Sequence, residues 1–447
     1  MRENKIIIEP FQFISYLDLT AFKSVGSHTT VKVKGIINEE SADKYLGMAR
    51  DDVWIKIILQ SDNVNMIFFQ GIVIKMQIKN ENGVHIMEFE AKSGSYLLDC
   101  GQHIRSFQSE GISYLQMINT CLQSYAGSSC NIEPIYNIKI QDMILQYRES
   151  DWEFIHRLAA KQNTVAYPDN RNVGIRINFG ISEKVNTIVI ESNDYMIEKD
   201  STGYTYIVSD RENHELGDCV IFLGIRLCIY QIITQMKGNE LYHKYYLKRR
   251  EEIKEHLYKN EKIQGASLQA IVANVKGDMV QVKIVKDENA ENAGYRWYTY
   301  ATVYSTPDGT GWYCMPEIGD RVRLMFPDLD EKNAYVVSSV HMESGQERGN
   351  PDNKSFMNKQ RKEILFTPDA IILRNNNGIT LEMKDEEGIK LISNKDIILQ
   401  AEENITVSSK SSNISMEADK ALSLKQGNTS FCLSNTIKMS GGKINMN

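Results

Sequence analysis

The chain has 447 residues, 42% of them hydrophobic and 24% charged, a composition that excludes general disorder and leaves room for about three domains. Its net charge of −7 and pI near 5.8 give no electrostatic footprint for nucleic acid. The seven cysteines contain no CxxC pair and no Cys/His cluster at zinc spacing, so they read as buried thiols of a reducing compartment, with no metal or cofactor expected.

Met1-Arg2-Glu3-Asn4-Lys5 runs directly into a β-like segment, which reads as cytoplasmic synthesis without a signal peptide. Val31 and Val33 alternate with Lys32 and Lys34, and Trp54-Ile55-Lys56-Ile57-Ile58-Leu59 is a second strand signal. A long run from Phe68 to Ile78 meets the hairpin dipeptide Asn82-Gly83 and returns over 85–90, as in a barrel or strongly twisted sheet. Ile112, Leu115, Ile118, Leu122 and Tyr125 then fall at helical spacing, closed by Gly127. A second helix is predicted from Ser150 to Ala160, with Ser150 and Glu153 as a capping box and Trp152, Ile155 and Ala159 as one packed stripe. Further strands are expected between Ile175 and Ile233. The most apolar run, Val220 to Ile233, carries Arg226 and Gln231 and is too short to span a bilayer.

Residues 240–262 mix lysine, arginine and glutamate densely and read as a charged connecting helix. The next region, 263–345, offers five short strands in the pattern of a small Greek-key OB barrel. A polar linker over 346–366 precedes the last region, 367–447. From Gly378 onward, blocks of the form apolar–x–apolar recur: Ile379/Leu381, Ile389/Leu391, Ile397/Leu399, Ile405/Val407, Ile414/Met416, Leu422/Leu424, Phe431/Leu433, Ile437/Met439 and Ile444/Met446. Their starts lie eight to ten residues apart, tightening to six and seven at the end, with turn-forming polar residues between them. Each block places two apolar side chains on one strand face. A single-chain β-helix needs a coil of about twenty residues to enclose a core. The shorter repeat therefore predicts three chains, each supplying one side of a triangular β-prism, with strands stacked at about 4.8 Å into a shaft roughly 40–45 Å long. The expected trimer core is Ile379, Leu381, Ile389, Leu391, Ile397, Leu399, Ile405, Val407, Ile414, Met416, Leu422 and Leu424. The fold class is mainly β with minor α.

Three stretches resemble one family in its order along the chain. Gly311-Trp312-Tyr313-Cys314-Met315-Pro316-Glu317-Ile318-Gly319-Asp320-Arg321-Val322 resembles the OB module of the VgrG and phage baseplate hub–spike proteins. Phe69-Gln70-Gly71-Ile72-Val73, together with 146–158, is similar to their late-control-D-like hub, which implies a hub region of two barrel-like domains with helices over 1–239. The resemblance implies a structural homotrimeric spike of a contractile injection system: a phage tail, a tailocin or a type VI-like machine. It implies an OB collar shaped by Trp312, Pro316, Gly319 and Asp320, and a hub signature helix with Ser150, Trp152, Glu153, Ile155 and Leu158. Implied partners are a hexameric tube protein and baseplate proteins at the hub, a PAAR-like tip protein or effectors at the needle, and the target envelope. The implied place of action is an injection particle released from the cell on firing. No lysozyme-like insertion between the OB region and the needle is recognisable.

No catalytic pattern stands out. There is no HExxH, GxSxG or P-loop motif, His156 and His214 are isolated, and Gly309-Thr310-Gly311 reads as a tight strand connection. A glycosidase would need two carboxylates facing across a cleft. The alternative reading is a β-helical tailspike that cleaves or binds surface polysaccharide. It calls for longer coils and aromatic platforms, whereas Phe431 is the only aromatic residue of the repeats.

Overall fold

The computed structural model describes residues 5–48, 52–61, 64–182, 188–201, 203–238, 240–339 and 349–443. The chain divides into two compact units, Met1–His341 and Met342–Asn447.

In the first unit a 12-stranded sheet runs in the order Lys5–Glu9, Trp54–Ser61, Val64–Glu81, Val84–Ser93, Thr30–Ile37, Ser15–Ser24, Ile225–Lys237, Glu240–Lys248, Gly203–Asp210, Tyr195–Asp200. Cys219–Phe222 pairs beside Ile225–Lys237 and carries Ile188–Val189. Strand chemistry sets the faces: in Thr30–Ile37, Val31 and Val33 are buried while Lys32 and Lys34 reach solvent. The two halves of the sheet enclose separate cores. One contains Ile8, Leu19, Val33, Ile57, Phe68 and Phe89, the other Val208, Val220, Phe222, Ile229, Tyr245 and Leu247. They join where residues 20–24 pair with 231–235, so the two barrel-like halves share one uninterrupted ladder. The first half curls back on itself, and the Tyr16 hydroxyl donates to the Ile6 carbonyl at 3.1 Å.

Among the described residues, three helices accompany this sheet. Helix α1, Glu39–Met48, lies in a stretch whose sequence reads as strands. Helices α2, Tyr114–Leu122, and α3, Asp151–Lys161, match the apolar spacing, and each carries a complete capping box. They pack with Leu98, Phe107, Ile144, Ile177 and Phe179 into a third core. The OB sheet runs Trp297–Thr299, Met279–Ile284, Ser267–Lys276, Arg321–Met325, Tyr335–Val337, and a Tyr300–Val336 bridge brings its ends together. Its core takes in Met143, Leu145 and Tyr147 from the neighbouring layer.

Two expectations for this unit are corrected. Residues 240–262 do not form a helix. Glu240–Lys248 is a strand with Leu241, His243, Tyr245 and Leu247 buried, because its apolar and aromatic residues alternate with period two. Beyond it only the 3-10 turns Arg250–Glu252 and Glu261–Ile263 interrupt an extended path. The cysteines are not uniformly buried thiols either. Cys219 and Cys228 face each other across a hairpin and are joined as a disulfide, with Cα atoms 4.2 Å apart, while Cys100 and Cys314 are exposed. Directly opposed residues of a non-hydrogen-bonded antiparallel pair lie this close by construction.

The second unit begins with a five-stranded antiparallel meander: Lys354–Met357, Glu363–Thr367, Ala370–Arg374, Thr380–Lys384 and Gly388–Ile392. Its first two strands lie within or overlap the expected linker over 346–366. A three-stranded sheet, Leu422–Gln426, Thr429–Leu433 and Ile437–Ser440, comes next. Between the sheets, the blocks at 397–399, 405–407 and 414–416 belong to no strand of the single chain. The expected block Ile444/Met446 lies outside the described residues.

Candidate functional site

The second unit carries an apolar surface that the chain does not cover. Register aligns Phe356, Ile364, Leu373, Leu381 and Leu391 in one cross-strand row, and Phe366, Ile371, Met383 and Ile389 in a second. The rows are two residues apart on each strand, the second ending at Lys354, so they share one face, with Ser355, Leu365, Ile372, Glu382 and Lys390 on the other. Further along, Leu422, Leu424, Phe431, Leu433, Ile437 and Met439 line one face of the three-stranded sheet, while Ser423, Cys432 and Lys438 line the reverse. Among the described residues of this unit only Glu363 and Ala370 are buried. Ile389 is 75% exposed and Leu399 72%. Monomeric proteins rarely leave such contiguous apolar faces open, so the face marks an association surface.

The expected core residues divide in two. Leu381, Ile389, Leu391, Leu422 and Leu424 stand on strands with their apolar neighbours, and Ile379 directly precedes one. Ile397, Leu399, Ile405, Val407, Ile414 and Met416 are exposed and belong to no strand. The sequence reading missed Phe356, Ile364, Phe366, Ile371 and Leu373. Two of the upstream strands carry the same block pattern, as Ile364-Leu365-Phe366 and Ile371-Ile372-Leu373.

In the first unit, the hub signature helix is the centre of a buried polar junction. The Ser150 Oγ accepts from the Glu153 amide at 3.0 Å and donates to Asp99 at 2.6 Å. Trp152 packs between the rings of His28 and His156, at 4.5 and 4.3 Å, whereas Ile155 and Leu158 enter the helical core. The buried Arg157 donates from Nε and Nη2 to both Glu149 oxygens at 2.8 Å, and from Nη1 to Glu331 of the OB region at 2.8 Å. Arg105 pairs with Asp151 beside Gln146. Asp287 of the OB region accepts from the Ser106 amide at 3.0 Å, and burial pushes its carboxyl upward despite that bond. Through Arg157 and Glu331 the helix ties the OB barrel to the helical layer beside it. Gln70 and Gly71 act elsewhere, within the large sheet and the loop beside it. Gln70 Nε2 donates to the Arg171 carbonyl at 2.6 Å, and a Cβ on Gly71 would lie 2.2 Å from the Lys92 carbonyl oxygen.

The collar residues are not gathered at one point. Pro316 is buried, Gly319 has φ +97°, and Asp320 Oδ2 accepts from the Glu317 amide at 2.9 Å, so this turn is locked onto the OB sheet. Trp312 sits apart on a hairpin whose Thr302 hydroxyl donates to its carbonyl at 2.7 Å, and it is exposed. Among the described residues no group of acidic, histidine or cysteine side chains could hold a metal, and no helix is long and apolar enough to cross a membrane.

Residues 268–341 match the family described as the type VI secretion system/phage-baseplate injector OB domain. An E. coli protein, c3393, described as a type VI secretion system component similar to the T4 phage tail proteins gp27 and gp5, superposes with TM-score 0.52 at 12% identity. That match covers 75% of this chain and 100% of the other. The chain has the fold of the hub–spike proteins. A Francisella PdpA–VgrG complex matches at TM-score 0.55 and 10% identity over 88% of each chain. The lidless PdpA–VgrG complex matches at TM-score 0.55 and 9% identity, over 88% of this chain and 98% of that one. Comparison with curated protein sequences finds no match. At these identities the likeness is one of fold, with little sequence in common.

Proposed function

We propose that the chain is a structural spike of a contractile injection system, acting as a homotrimer. Its first unit forms a hub beneath a hexameric tube, and its second unit forms a needle that punctures a target envelope. The observation that carries this reading is the uncovered apolar face of residues 354–392, continued over 422–439, on a chain whose OB region matches the injector family. Three copies facing inward would bury these rows and leave Glu382 and Lys390 on the outside. A shaft closed in this way has no lateral sheet edge and gains backbone hydrogen bonds at every rung. The role is mechanical, with no catalytic step assigned to it. A tip protein or effector at the needle end and baseplate proteins around the hub are the partners proposed.

Light scattering of the purified chain tests the reading. A mass of three times 51.1 kDa is expected, falling toward one chain when residues after His341 are removed. A monomeric full-length chain at micromolar concentration overturns it.

A further inference from the structure

The second unit is divided in charge along its sequence. Between Thr380 and Glu403 there are seven carboxylates and three lysines. Two of those lysines are already matched, since Lys384 and Lys390 both lie against Glu387, at 3.2 and 3.4 Å. Between Lys420 and Lys443, by contrast, there are four lysines and no aspartate or glutamate, in a chain whose net charge is −7. Lys420, Lys425, Lys438 and Lys443 are all exposed. We infer that this acid-free stretch is a docking surface for an anionic lipid bilayer, engaged through the phosphates of its headgroups. The spike reading enters only in gathering three copies of the stretch; the chemistry belongs to each chain.

Register decides what accompanies the lysines. Lys425 lies opposite Ser430, which lies opposite Ser440, and Ser423 lies opposite Cys432, which lies opposite Lys438. These two rows are the reverse of the face that carries Leu422, Leu424, Phe431 and Met439, because successive side chains alternate. Inward packing of the apolar face therefore turns Lys425 and Lys438 outward. Beside them stand hydroxyls, with the Ser430 and Ser440 oxygens 2.8 Å apart. Ammonium and hydroxyl groups both donate hydrogen bonds to phosphate oxygens, and no carboxylate on this face competes for them. Single-stranded nucleic acid would call for aromatic rings on which bases stack, and the lysine face has none, since Phe431 belongs to the apolar side. A bilayer asks only for positive charge brought to its surface, and each lysine adds its own share. Such attraction fades beyond the Debye length, about 10 Å at 0.1 M salt, so it must weaken as salt is added.

The test sediments the full chain with vesicles of phosphatidylcholine, alone or with about 30% phosphatidylglycerol. Binding is expected to the anionic vesicles at about 50 mM salt and to be lost at about 500 mM. Neutral vesicles should bind at least about tenfold less. Lys425→Gln with Lys438→Gln should weaken binding to the anionic vesicles at least about tenfold without changing the light-scattering mass, whereas Lys384→Gln should bind as the parent does. Equal binding of both vesicle types, or a double variant that binds like the parent, overturns the lipid assignment. Capture by soluble polyphosphate or by an acidic protein, with no vesicle binding, overturns it as well. A trimer that ignores the vesicles leaves the spike reading standing and removes the lipid surface. A monomer that still binds them removes the spike reading and leaves the lipid surface.

Discussion

His243 lies on the strand that the charge pattern disguises as a helix, with its Nδ1 2.8 Å from the Thr234 hydroxyl and the rings of Phe68 and Tyr245 against it. Burial, and then the positive charge of Lys23, lowers its pKa from 6.5 to about 3. The neutral form is the one that folds. A depressed folded pKa means that the unfolded chain takes up the proton first as pH falls, so His243's contribution is complete above about pH 6.5 and is lost on the way down to about pH 3. Urea midpoints should therefore fall more between pH 7 and pH 4.5 for the parent than for His243→Gln; equal falls would show that the site does not control acid stability. Residues of this kind are hard to foresee. Arg157 sits on an amphipathic helix like any solvated cation, and its partner Glu331 is 174 positions away. Local spacing says nothing about a pair separated in that way.

At the level of elements, helix α3 is legible because its signals are local. A capping box, an acidic first turn and a stripe of Trp152, Ile155 and Ala159 are packed into and just before eleven helical residues. Ser150→Ala removes a bond to the Glu153 amide and the bond to Asp99, and should destabilise the protein by about 1–2 kcal/mol. Chemical denaturation reads that loss; an unchanged midpoint would mean that the cap is redundant with its surroundings. The strand Glu240–Lys248 reads as helix for the opposite reason. Its charged residues dominate the composition, and the buried odd positions include a histidine and tyrosine that do not register as apolar. Helix α1 escapes notice because its pattern is weak, with only Ala42 and Tyr45 buried.

For the molecule as a whole, the C-terminal repeat is informative where its blocks stand on strands, at 379–391 and 422–439, since each of those states its own face without reference to anything distant. The sheet nevertheless begins upstream of the first block, and the linker expected over 346–366 contains strands of it. Leu381 lies within the longer apolar row, between Leu373 and Leu391. Leu381→Asp should put a carboxylate from each copy into the proposed core and shift the light-scattering mass from three chains toward one. Lys390→Ser, on the reverse face, should leave that mass unchanged; equal behaviour of the two variants would place the contact elsewhere.

The five strands from Lys354 to Ile392 each pair with the next in sequence, through connections of a few residues. Loops so short close quickly and at little entropic expense. The sheet's apolar rows stay uncovered in one chain, however, so the proposed contact with other copies supplies the burial that offsets its ordering entropy. Assembly of the proposed shaft is then a matter of collision frequency. Its completion depends on how many chains are present, whereas residues of the first unit can fold at a pace set by their own sequence alone. Translation of many copies from one messenger would place partners side by side at the moment their sticky faces emerge, and would shorten the interval in which those faces could adhere to anything else.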